Sequence, residues 1–368
     1  MSSYRITEVP LPSAAGPAPD WRVRGAADVG AMEAEEVLGN TDLADSAETV
    51  AVSLANQKNF TKHLFVACRE DAPDGVPESV LGVAWVYASV RDNPHLSQID
   101  VSVRPQARGK GLGSTLWDTA LERARSIGRT VILSSTGHGF EPSADSPNAL
   151  AAPTGSGRLP RDDPGARFAQ KRGFALEQVE RHSMLPVPVS PELLARSRAE
   201  AELAAGQEYS LVTWADRVPD EWMEQYCVLQ TRMSTDAPVA GLDLREEVWD
   251  AERVENIHQS LVAAGKGTFV TAALHRATGA LAGFTEMETL RDKPEVVYQE
   301  NTLVLSDHRG HRLGMLVKAA NLQLLADHRP HVRRVHTWNA EENSFMLDIN
   351  VALGFRRASV WGEWQLKL

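Results

Sequence analysis

The chain has 368 residues, of which 43% are hydrophobic and 24% are charged, a composition typical of globular proteins. This length predicts two domains, because single hydrophobic cores seldom grow beyond about 250–300 residues. The net charge of −11 disfavours nucleic acid as a partner, since phosphate binding requires a basic surface. An acidic surface suits a cationic small molecule, and solubility alone explains it equally well.

The sequence contains no pattern typical of a targeting segment, a metal site or a disulfide framework. The two cysteines, Cys68 and Cys227, lack the spacing of a zinc site or a disulfide framework, so we expect no metal. No apolar run approaches the roughly 20 residues that cross a bilayer. The first 19 residues are rich in Pro, Ala and Ser, which predicts a flexible lead-in rather than a signal peptide. We therefore expect a cytoplasmic protein without membrane partners; the sequence does not indicate its oligomeric state.

A segment of the chain occurs twice. The stretch VSVRPQARGKGLGSTLW at 101–117 has a counterpart, TLVLSDHRGHRLGMLVK, at 302–318, with a constant offset of 201. Downstream, two Gly-Phe pairs repeat at an offset of 181, at Gly173 and Gly354. The difference of 20 residues corresponds to a segment at about 137–165, whose Gly, Pro, Ser and Asp content predicts a loop insertion. The order of turn, helix, strand and Gly-Phe therefore indicates a duplication.

The duplication predicts an N-terminal domain at 1–187, a linker helix at 188–208 and a C-terminal domain at 209–368. In the second copy, apolar periodicity and turn residues predict elements in the following order: strand 209–214, helices 219–233 and 245–264, strands 268–275, 281–290 and 296–305, helix 311–326, strand 333–338, helix 341–353 and strand 357–366. The first copy repeats this order from Trp21 to about Pro186.

The turn Arg108-Gly109-Lys110-Gly111-Leu112-Gly113 follows a β-branched strand and opens a helix. Free backbone N–H groups at a helix N-terminus bind anions, and glycines allow the backbone to approach them closely. A Walker loop would end in Gly-Lys-Ser/Thr, and a dinucleotide fingerprint would read Gly-x-Gly-x-x-Gly. The turn matches neither pattern, so it is predicted to bind phosphate or pyrophosphate in another way.

Both turns resemble the acetyl-CoA motif of the GNAT superfamily of N-acetyltransferases, Gln/Arg-x-x-Gly-x-Gly/Ala after a valine-ended strand. The second turn, RGHRLG, departs from it at Arg312, which stands where the motif has its central glycine. A second family signature, an Asn followed by a helix ending in Gly-Phe, is similar to Asn343 and Gly354-Phe355, with Asn339 just upstream. The tandem layout is similar to that of mycothiol synthase and related actinobacterial double-GNAT proteins.

The resemblance implies an α/β (α+β type) fold of two GNAT domains, each a mixed, mostly antiparallel, splayed sheet flanked by helices. It also implies acetyl-CoA (coenzyme A) as the donor. The strands ending at Val103 and Val304 would hold the pantetheine arm, and the turns would hold the pyrophosphate. The cofactor-binding candidates are Val103, Arg108, Gly109, Lys110, Gly111, Leu112 and Gly113 in the first copy, and Val304, Arg309, Gly310, His311, Arg312, Leu313, Gly314, Asn339 and Asn343 in the second.

Transfer of acetyl to an amine requires deprotonation of an ammonium group and protonation of a thiolate. Family members often use a Glu on the strand before the turn as the base. Glu300 lies four residues before Val304 and is therefore expected on the same strand face. The family's commonest Glu position is occupied by Tyr298, so both are catalytic candidates. In the first copy, Ile99 is the expected equivalent of Glu300, and Asp100 is expected on the opposite face.

The substrate candidates are acidic. Glu286 and Glu288 share one face of a neighbouring strand, where three carboxylates including Glu300 would raise each other's pKa; a solvated strand face is the alternative. Asp236 follows the first helix of the second copy, either beside the acceptor or in a capping turn. The position of the family's leaving-group acid, a Tyr, holds Asn350 in the second copy and Ala169 in the first.

The sequence thus favours an acetyl-CoA-dependent N-acetyltransferase of a small-molecule primary amine, with catalysis in the C-terminal domain. The first copy has the more complete phosphate turn but lacks the base and the second signature. Two alternatives remain open: a non-catalytic acyl-CoA binder or sensor, indicated by the missing Tyr, and a protein-modifying acetyltransferase.

Overall fold

The computed structural model describes residues 4–12 and 18–368. The predicted flexible lead-in falls partly on residues 1–3 and 13–17, which lie outside the described residues. Within it, Tyr4–Glu8 forms a strand, β1, that pairs antiparallel with Phe60–Arg69, which is β2. The prediction of a flexible segment is wrong here, because Tyr4 and Ile6 pack against the hydrophobic core of the first half.

The first half follows the predicted order of elements. After β1 it contains α1 (Trp21–Leu38), α2 (Ala47–Ala55), β2, β3 (Val80–Ser89), β4 (Leu96–Val103), α3 (Leu112–Ser126), β5 (Val131–His138), β6 (Ala149–Ala151), β7 (Arg158–Pro160), α4 (Pro164–Lys171) and β8 (Ala175–Pro186). The predicted loop insertion at 137–165 is not wholly irregular, because β6 and β7 pair within it as a short two-stranded sheet.

The second half repeats the order after the linker helix. It contains α5 (Pro191–Ala205), β9 (Tyr209–Ala215), α6 (Met223–Asp236), α7 (Ala251–Ala263), β10 (Lys266–His275), β11 (Ala280–Leu290), β12 (Val296–Val304), α8 (Leu313–His328), β13 (Arg334–Ala340), α9 (Ser344–Leu353) and β14 (Arg356–Lys367). Helix α7 begins later than predicted, because the Asp250 side chain accepts a hydrogen bond from the Arg253 amide and caps the helix there.

The fold class is confirmed: each half has a mixed, mostly antiparallel sheet with helices on both faces. Helices α3 and α8 cover one face, where Leu116 and Leu316 are buried. Helices α1 and α2 in the first half, and α6 and α7 in the second, cover the other face. We call this second face the acceptor face. In both halves the strand before the phosphate turn pairs in parallel with the following strand, β4 with β5 and β12 with β13.

The two halves exchange their last strands. Twelve of the fourteen strands in the described residues form one sheet, in the order β1-β2-β3-β4-β5-β14-β8-β13-β12-β11-β10-β9. Strand β14, from the end of the chain, lies between β5 and β8, while β8 pairs with β13 of the second half. The division at 1–187 and 209–368 stays a prediction from the repeat, and the hydrogen-bonded sheet runs across it.

Loops are exchanged across the same boundary. The loop after α1 reaches the second half, where the Asp42 carboxylate binds Arg334 at 2.5 and 2.9 Å. The segment after α6 reaches the first half, where the Arg245 amide donates to Asn93 at 2.8 Å. Each half therefore contributes a loop segment that forms hydrogen bonds with the other half.

The exchange predicts that neither half folds alone. A fragment of residues 1–187 would leave β5 and β8 without β14, exposing unpaired strand edges and apolar side chains. We expect this fragment to show no cooperative thermal transition by circular dichroism, whereas co-expression with residues 188–368 restores a soluble complex that melts cooperatively. A cooperative transition in the isolated fragment would contradict the prediction.

Candidate active site

The first turn has the geometry of an anion cradle. Gly109 and Gly111 have φ values of 73° and 88°, and a Cβ added at either meets no atom within 4 Å. Gly111 caps α3, so the first amides of this helix point into the turn without intrahelical acceptors. The Arg108 side chain is a brace: its Nε donates to the Val103 carbonyl at 2.7 Å and its guanidinium pairs with Glu36.

The neighbouring predicted residues contribute differently. Lys110 directs its ammonium group to the Gln106 carbonyl at 2.8 Å. Leu112 is buried in the core, so only its backbone can face a ligand. Gly113 has room for little more than a methyl group, because an added Cβ would lie 3.5 Å from the ring of Phe168.

The backbone of the second turn follows the same path as that of the first turn, with one residue in a strained conformation. Gly310 has a φ of 88°, but the helix cap is Arg312, in the left-handed region at φ 53° and ψ 23°. Its guanidinium lies 3.3 Å from Glu200 of the linker helix. Leu313 and Gly314 are buried, and an added Cβ on Gly314 would lie 3.0 Å from Ile349. The chain keeps this path although the glycine is missing.

Asp236 lies at this turn. Its carboxylate pairs with Arg309 at 2.9 Å, and Arg309 also donates to the Val304 carbonyl at 3.2 Å. The arrangement repeats that of Arg108 in the first turn. The structure therefore places Asp236 with the phosphate turn and does not bring it together with the other acidic candidates. The ring of His311 packs 5.3 Å from that of Tyr209.

A bulge on β12 changes which residues share a face. Thr285 is opposite Thr302 and Met287 is opposite Gln299, so three steps on β12 match two on β11. Val304 consequently packs toward α8, whereas Glu300 points to the acceptor face beside Glu286 and Glu288. The expectation that Glu300 and Val304 share a face is wrong, because the extra residue reverses the alternation.

The first half lacks this bulge. The pairing of β3 with β4 is uninterrupted, with Trp85 opposite Asp100 and Val86 opposite Ile99. Ile99 is buried in the core beneath α3, and Asp100 lies on the acceptor face. Asp100, and not Ile99, is therefore the structural counterpart of Glu300. Burial raises the pKa of Asp100 to about 6, and the nearby Glu33 carboxylate adds to this shift.

The three carboxylates of the second half form one cluster. The surrounding protein partly desolvates the Glu300 carboxyl group, whose side chain still reaches solvent, and together with the charges of Glu288 and Glu286 it raises the pKa of Glu300 to about 7. Burial and Glu288 raise the pKa of Glu286 to about 7 as well, although Tyr226 donates a hydrogen bond to it. Glu288 pairs with Lys266 at 2.7 Å. The alternative of a plainly solvated strand face is excluded for Glu286 and Glu288, which are half-buried; Glu300 remains accessible to solvent.

Tyr298 is held by the other half of the chain. Its hydroxyl donates to the Asp42 carbonyl at 2.7 Å, and its ring packs edge-on against His336. Burial and the nearby carboxylates raise the pKa of Tyr298 above its usual value. Sequence reasoning missed Asp42 and His336, because no local pattern indicates that the loop after α1 crosses to the second half.

The cleft between β12 and β13 opens beside these groups. Parallel pairing of the two strands is limited to Val296, Val297 and Tyr298. The Gln299 carbonyl still accepts a hydrogen bond from the Thr337 hydroxyl of β13 at 3.2 Å, and beyond it the backbone from Glu300 to Val304 does not pair with β13. Asn343 is the N-cap of α9, and its side-chain oxygen accepts a hydrogen bond from the Met346 amide at 3.3 Å. Asn339 accepts a hydrogen bond from the buried Asn350 at 2.7 Å.

Comparison with known proteins agrees with this geometry. Residues 40–143 match the model of the acetyltransferase (GNAT) family. A tandem GNAT protein from the clavulanic acid biosynthesis pathway is 28% identical over 99% of this chain and 98% of that one, with a TM-score of 0.73. The chain therefore contains a match to the GNAT family at residues 40–143 and is similar over its whole length to a tandem GNAT protein.

More distant structures share the fold. A GCN5-related N-acetyltransferase from Sphaerobacter thermophilus is 14% identical, with a TM-score of 0.58. The match covers 99% of this chain and 95% of that protein's chain. A glucosamine N-acetyltransferase region of a fungal multi-domain β-N-acetylglucosaminidase is also 14% identical, over 100% of this chain and 38% of that one, with a TM-score of 0.60. No curated protein matches the sequence.

Two further properties concern the described residues. Within 4–12 and 18–368, no helix has both the length and the apolar character needed to cross a membrane. Within the same ranges, no group of three or more His, Cys, Asp or Glu side chains is arranged to hold a metal ion.

The strained cap gives a test of the second turn. Left-handed backbone costs a residue with a Cβ about 1–2 kcal/mol, and glycine costs about 0.5–1 kcal/mol in chain entropy. We expect Arg312→Gly to raise the free energy of unfolding by roughly 0.5–1 kcal/mol in chemical denaturation. Arg312→Ala is the control, since it removes the ion pair with Glu200 but keeps the strain. Equal stability of the two variants would contradict this explanation.

Proposed function

We propose that the C-terminal half is an acetyl-CoA-dependent N-acetyltransferase of a small primary amine. The observation that carries the proposal is Glu300, a solvent-accessible carboxylate with a pKa near 7 on the same half as an anion-binding turn. A carboxyl group with this pKa can accept a proton near neutral pH and release it again, as a general base must.

The second turn fits coenzyme A. The space around Gly310, where an added Cβ meets nothing within 4 Å, leaves room for a phosphate against the backbone. The amides of residues 310–314 would hold the pyrophosphate, and the side chain of Arg312 would add a charge. The free edge of β12 up to Val304 would accept the pantetheine amides. Bound acetyl-CoA supplies the acetyl group as a thioester.

The acidic cluster fits a cationic amine. Glu286, Glu288 and Glu300 together attract an ammonium group, and only Glu288 is already paired with a lysine. Glu300 would take the proton that makes the amine nucleophilic. Because the raised pKa of Glu300 leaves it protonated below about pH 7, the base is active only above that value.

Tyr298 is better suited to holding the wall of the cleft than to protonating the leaving thiolate. Its hydroxyl proton is directed to the Asp42 carbonyl, and its raised pKa makes it a weaker acid than a free tyrosine. We therefore assign Tyr298 a role in holding the wall of the cleft. Asn350, in place of the family's Tyr, cannot donate a proton and is bonded to Asn339. This feature supports the second candidate function, an acyl-CoA binder without turnover.

Glu300→Gln tests the base. Loss of a general base typically costs 10²–10⁴-fold in rate, so we expect kcat to fall by about 10²-fold or more, with little change in CoA affinity. In the unaltered protein, kcat should rise as the pH increases through about 7, and the variant should not show this rise. Thiol release from acetyl-CoA across a panel of small amines measures both.

The control is Glu300→Asp, which shortens the side chain but keeps a carboxylate. This variant should retain part of the activity and the rise of kcat with pH. Full activity of Glu300→Gln would remove Glu300 as the base. CoA binding by the unaltered protein, without thiol release on any amine, would favour the binder or sensor instead. Turnover on peptides alone would favour the protein-modifying alternative.

A matched pair of substitutions locates the donor site. Gly109 and Gly310 occupy equivalent positions with φ of 73° and 88° and open space around each. Valine at either position introduces the same strain and fills the space next to the backbone. We expect Gly310→Val to abolish thiol release and Gly109→Val to leave most of it, with similar melting temperatures. The reverse pattern would place catalysis in the first half.

A further inference from the structure

Three histidines surround one tyrosine beside the second turn. The ring centroid of Tyr209, at the start of β9, lies 5.3, 5.7 and 5.3 Å from those of His275, His308 and His311. The rings of His275 and His308 are themselves 5.1 Å apart. His275 ends β10, whereas His308 and His311 stand on either side of Gly310 in the turn. We call the three histidine side chains the imidazole cluster.

The corresponding positions beside the first turn hold other residue types. The register of β1 with β2, and the offset of 201 between the turns, locate these positions in the first half. They are occupied by Arg69, Ala107 and Lys110. None of these is a histidine, which is the side chain whose charge changes near neutral pH. A proton exchange of this kind is therefore expected at the second turn and not at the first.

The hydrogen bonds of the imidazole cluster are compatible with a change of charge. Nδ1 of His308 lies 2.9 Å from the Tyr209 hydroxyl, and Nδ1 of His275 lies 2.9 Å from the Thr278 hydroxyl. A hydroxyl group can donate to a neutral imidazole or accept from a protonated one. Either histidine can therefore gain a proton without losing its partner, so that protonation requires no rearrangement of the fold.

The surroundings disfavour a charge on His308 when no anion is bound. Burial and the nearby His275 lower the pKa of His308, Asp307 acts in the opposite direction, and His311 lowers the pKa further. Two of the four carboxylates in this region are already in ion pairs with arginines of the turn. The charged side chains that the surrounding elements bring to the region are Glu208, Arg276, Asp307 and the ion pairs of Arg309 with Asp236 and of Arg312 with Glu200.

We propose that the imidazole cluster is a proton-dependent part of the phosphate site, so that binding of the donor at the second turn takes up a proton. The inference rests on the proposed function, because it requires coenzyme A at this turn. Pyrophosphate held by the amides of residues 310–314 would bring negative charge next to His308 and His311. An opposite charge favours the protonated form of an imidazole, and a protonated ring has a second N–H group to donate to a phosphate oxygen.

Proton uptake fixes the direction in which donor affinity changes with pH. Because the bound anion favours the protonated cluster, the donor binds more tightly as the pH falls and less tightly as the pH rises. The proposed base, Glu300, has the opposite dependence, since it accepts a proton only above about pH 7. The second half would therefore combine tight donor binding with an active base only in a limited range around neutral pH.

Isothermal titration calorimetry of dephospho-CoA into the full chain tests this inference. The probe keeps the pyrophosphate but lacks the 3′-phosphate, whose own pKa of about 6 would otherwise contribute to the proton balance. Titrations at one pH in two buffers of different ionisation enthalpy give the number of protons taken up. We expect roughly 0.3–0.5 proton per bound ligand near pH 6.5, and a Kd that falls about two- to threefold for each unit of decreasing pH.

The test variant is His308→Asn combined with His311→Asn, because asparagine places a polar atom near the position of Nδ1 and cannot be protonated. The matched control is His331→Asn, since His331 is exposed and lies beyond the opposite end of α8. We expect the double variant to lose the proton uptake and the pH dependence of Kd, and the control to keep both. Circular dichroism melts verify the fold, and His311→Asn alone carries the test if the double variant does not fold.

The outcomes separate this inference from the proposed function. Binding without proton uptake, or with an uptake that the double variant keeps, would overturn the inference and leave the proposed function standing. An uptake that is lost in Glu300→Gln and kept in the double variant would assign the proton to Glu300 and also overturn the inference. Absence of binding of both coenzyme A and dephospho-CoA would overturn the inference together with the proposed function.

Discussion

The position of β14 between β5 and β8 is the constraint on which the rest of the structure depends. Antiparallel pairing with two strands of the first half fixes the end of the chain at the centre of the sheet. Every backbone group of a central strand needs a partner, so β5 and β8 cannot be completed from their own half. The exchange makes one sheet from two repeats and sets residues of each half into the other.

The exchange also creates a polar seam in the centre of the sheet. Asp42, His336, His182 and Ser359 form a chain of hydrogen bonds at 3.1, 3.0 and 2.8 Å, with partners from the two halves in alternation. Burial lowers the pKa of His182 to about 3 and also lowers the pKa of His336, which favours neutral rings, and a neutral imidazole donates one hydrogen bond and accepts one. Because a displaced partner would leave a buried group unpaired, this seam favours one alignment of the two halves.

Buried carboxylates follow the same seam into the first half. Glu363 of β14 accepts a hydrogen bond from Ser135 at 2.7 Å, next to Glu180 of β8. Burial raises the pKa of both groups, and a neighbouring charge adds to each shift, that of Glu342 for Glu180 and that of Glu180 for Glu363. The two halves also differ beside their clefts: the second has three carboxylates next to a bulged strand, whereas the matching strand pair of the first has no bulge and carries Asp100.

Much of this protein is determined by the sequence itself. The duplication, the order of helices and strands, and the two phosphate turns are local features, because hydrophobic period, turn residues and helix caps act over a few neighbours. The shared face of Glu286 and Glu288 also follows from their spacing along one strand. Only the tertiary structure decided the faces of Glu300 and Asp100, since a single bulge on β12 reverses the alternation in one copy and not in the other. The tertiary structure also decided which strands pair with β8 and β14 and which residues Asp42 and Trp361 contact. Pairing between residues more than a hundred positions apart depends on the packing of the whole sheet and leaves no local pattern in the sequence.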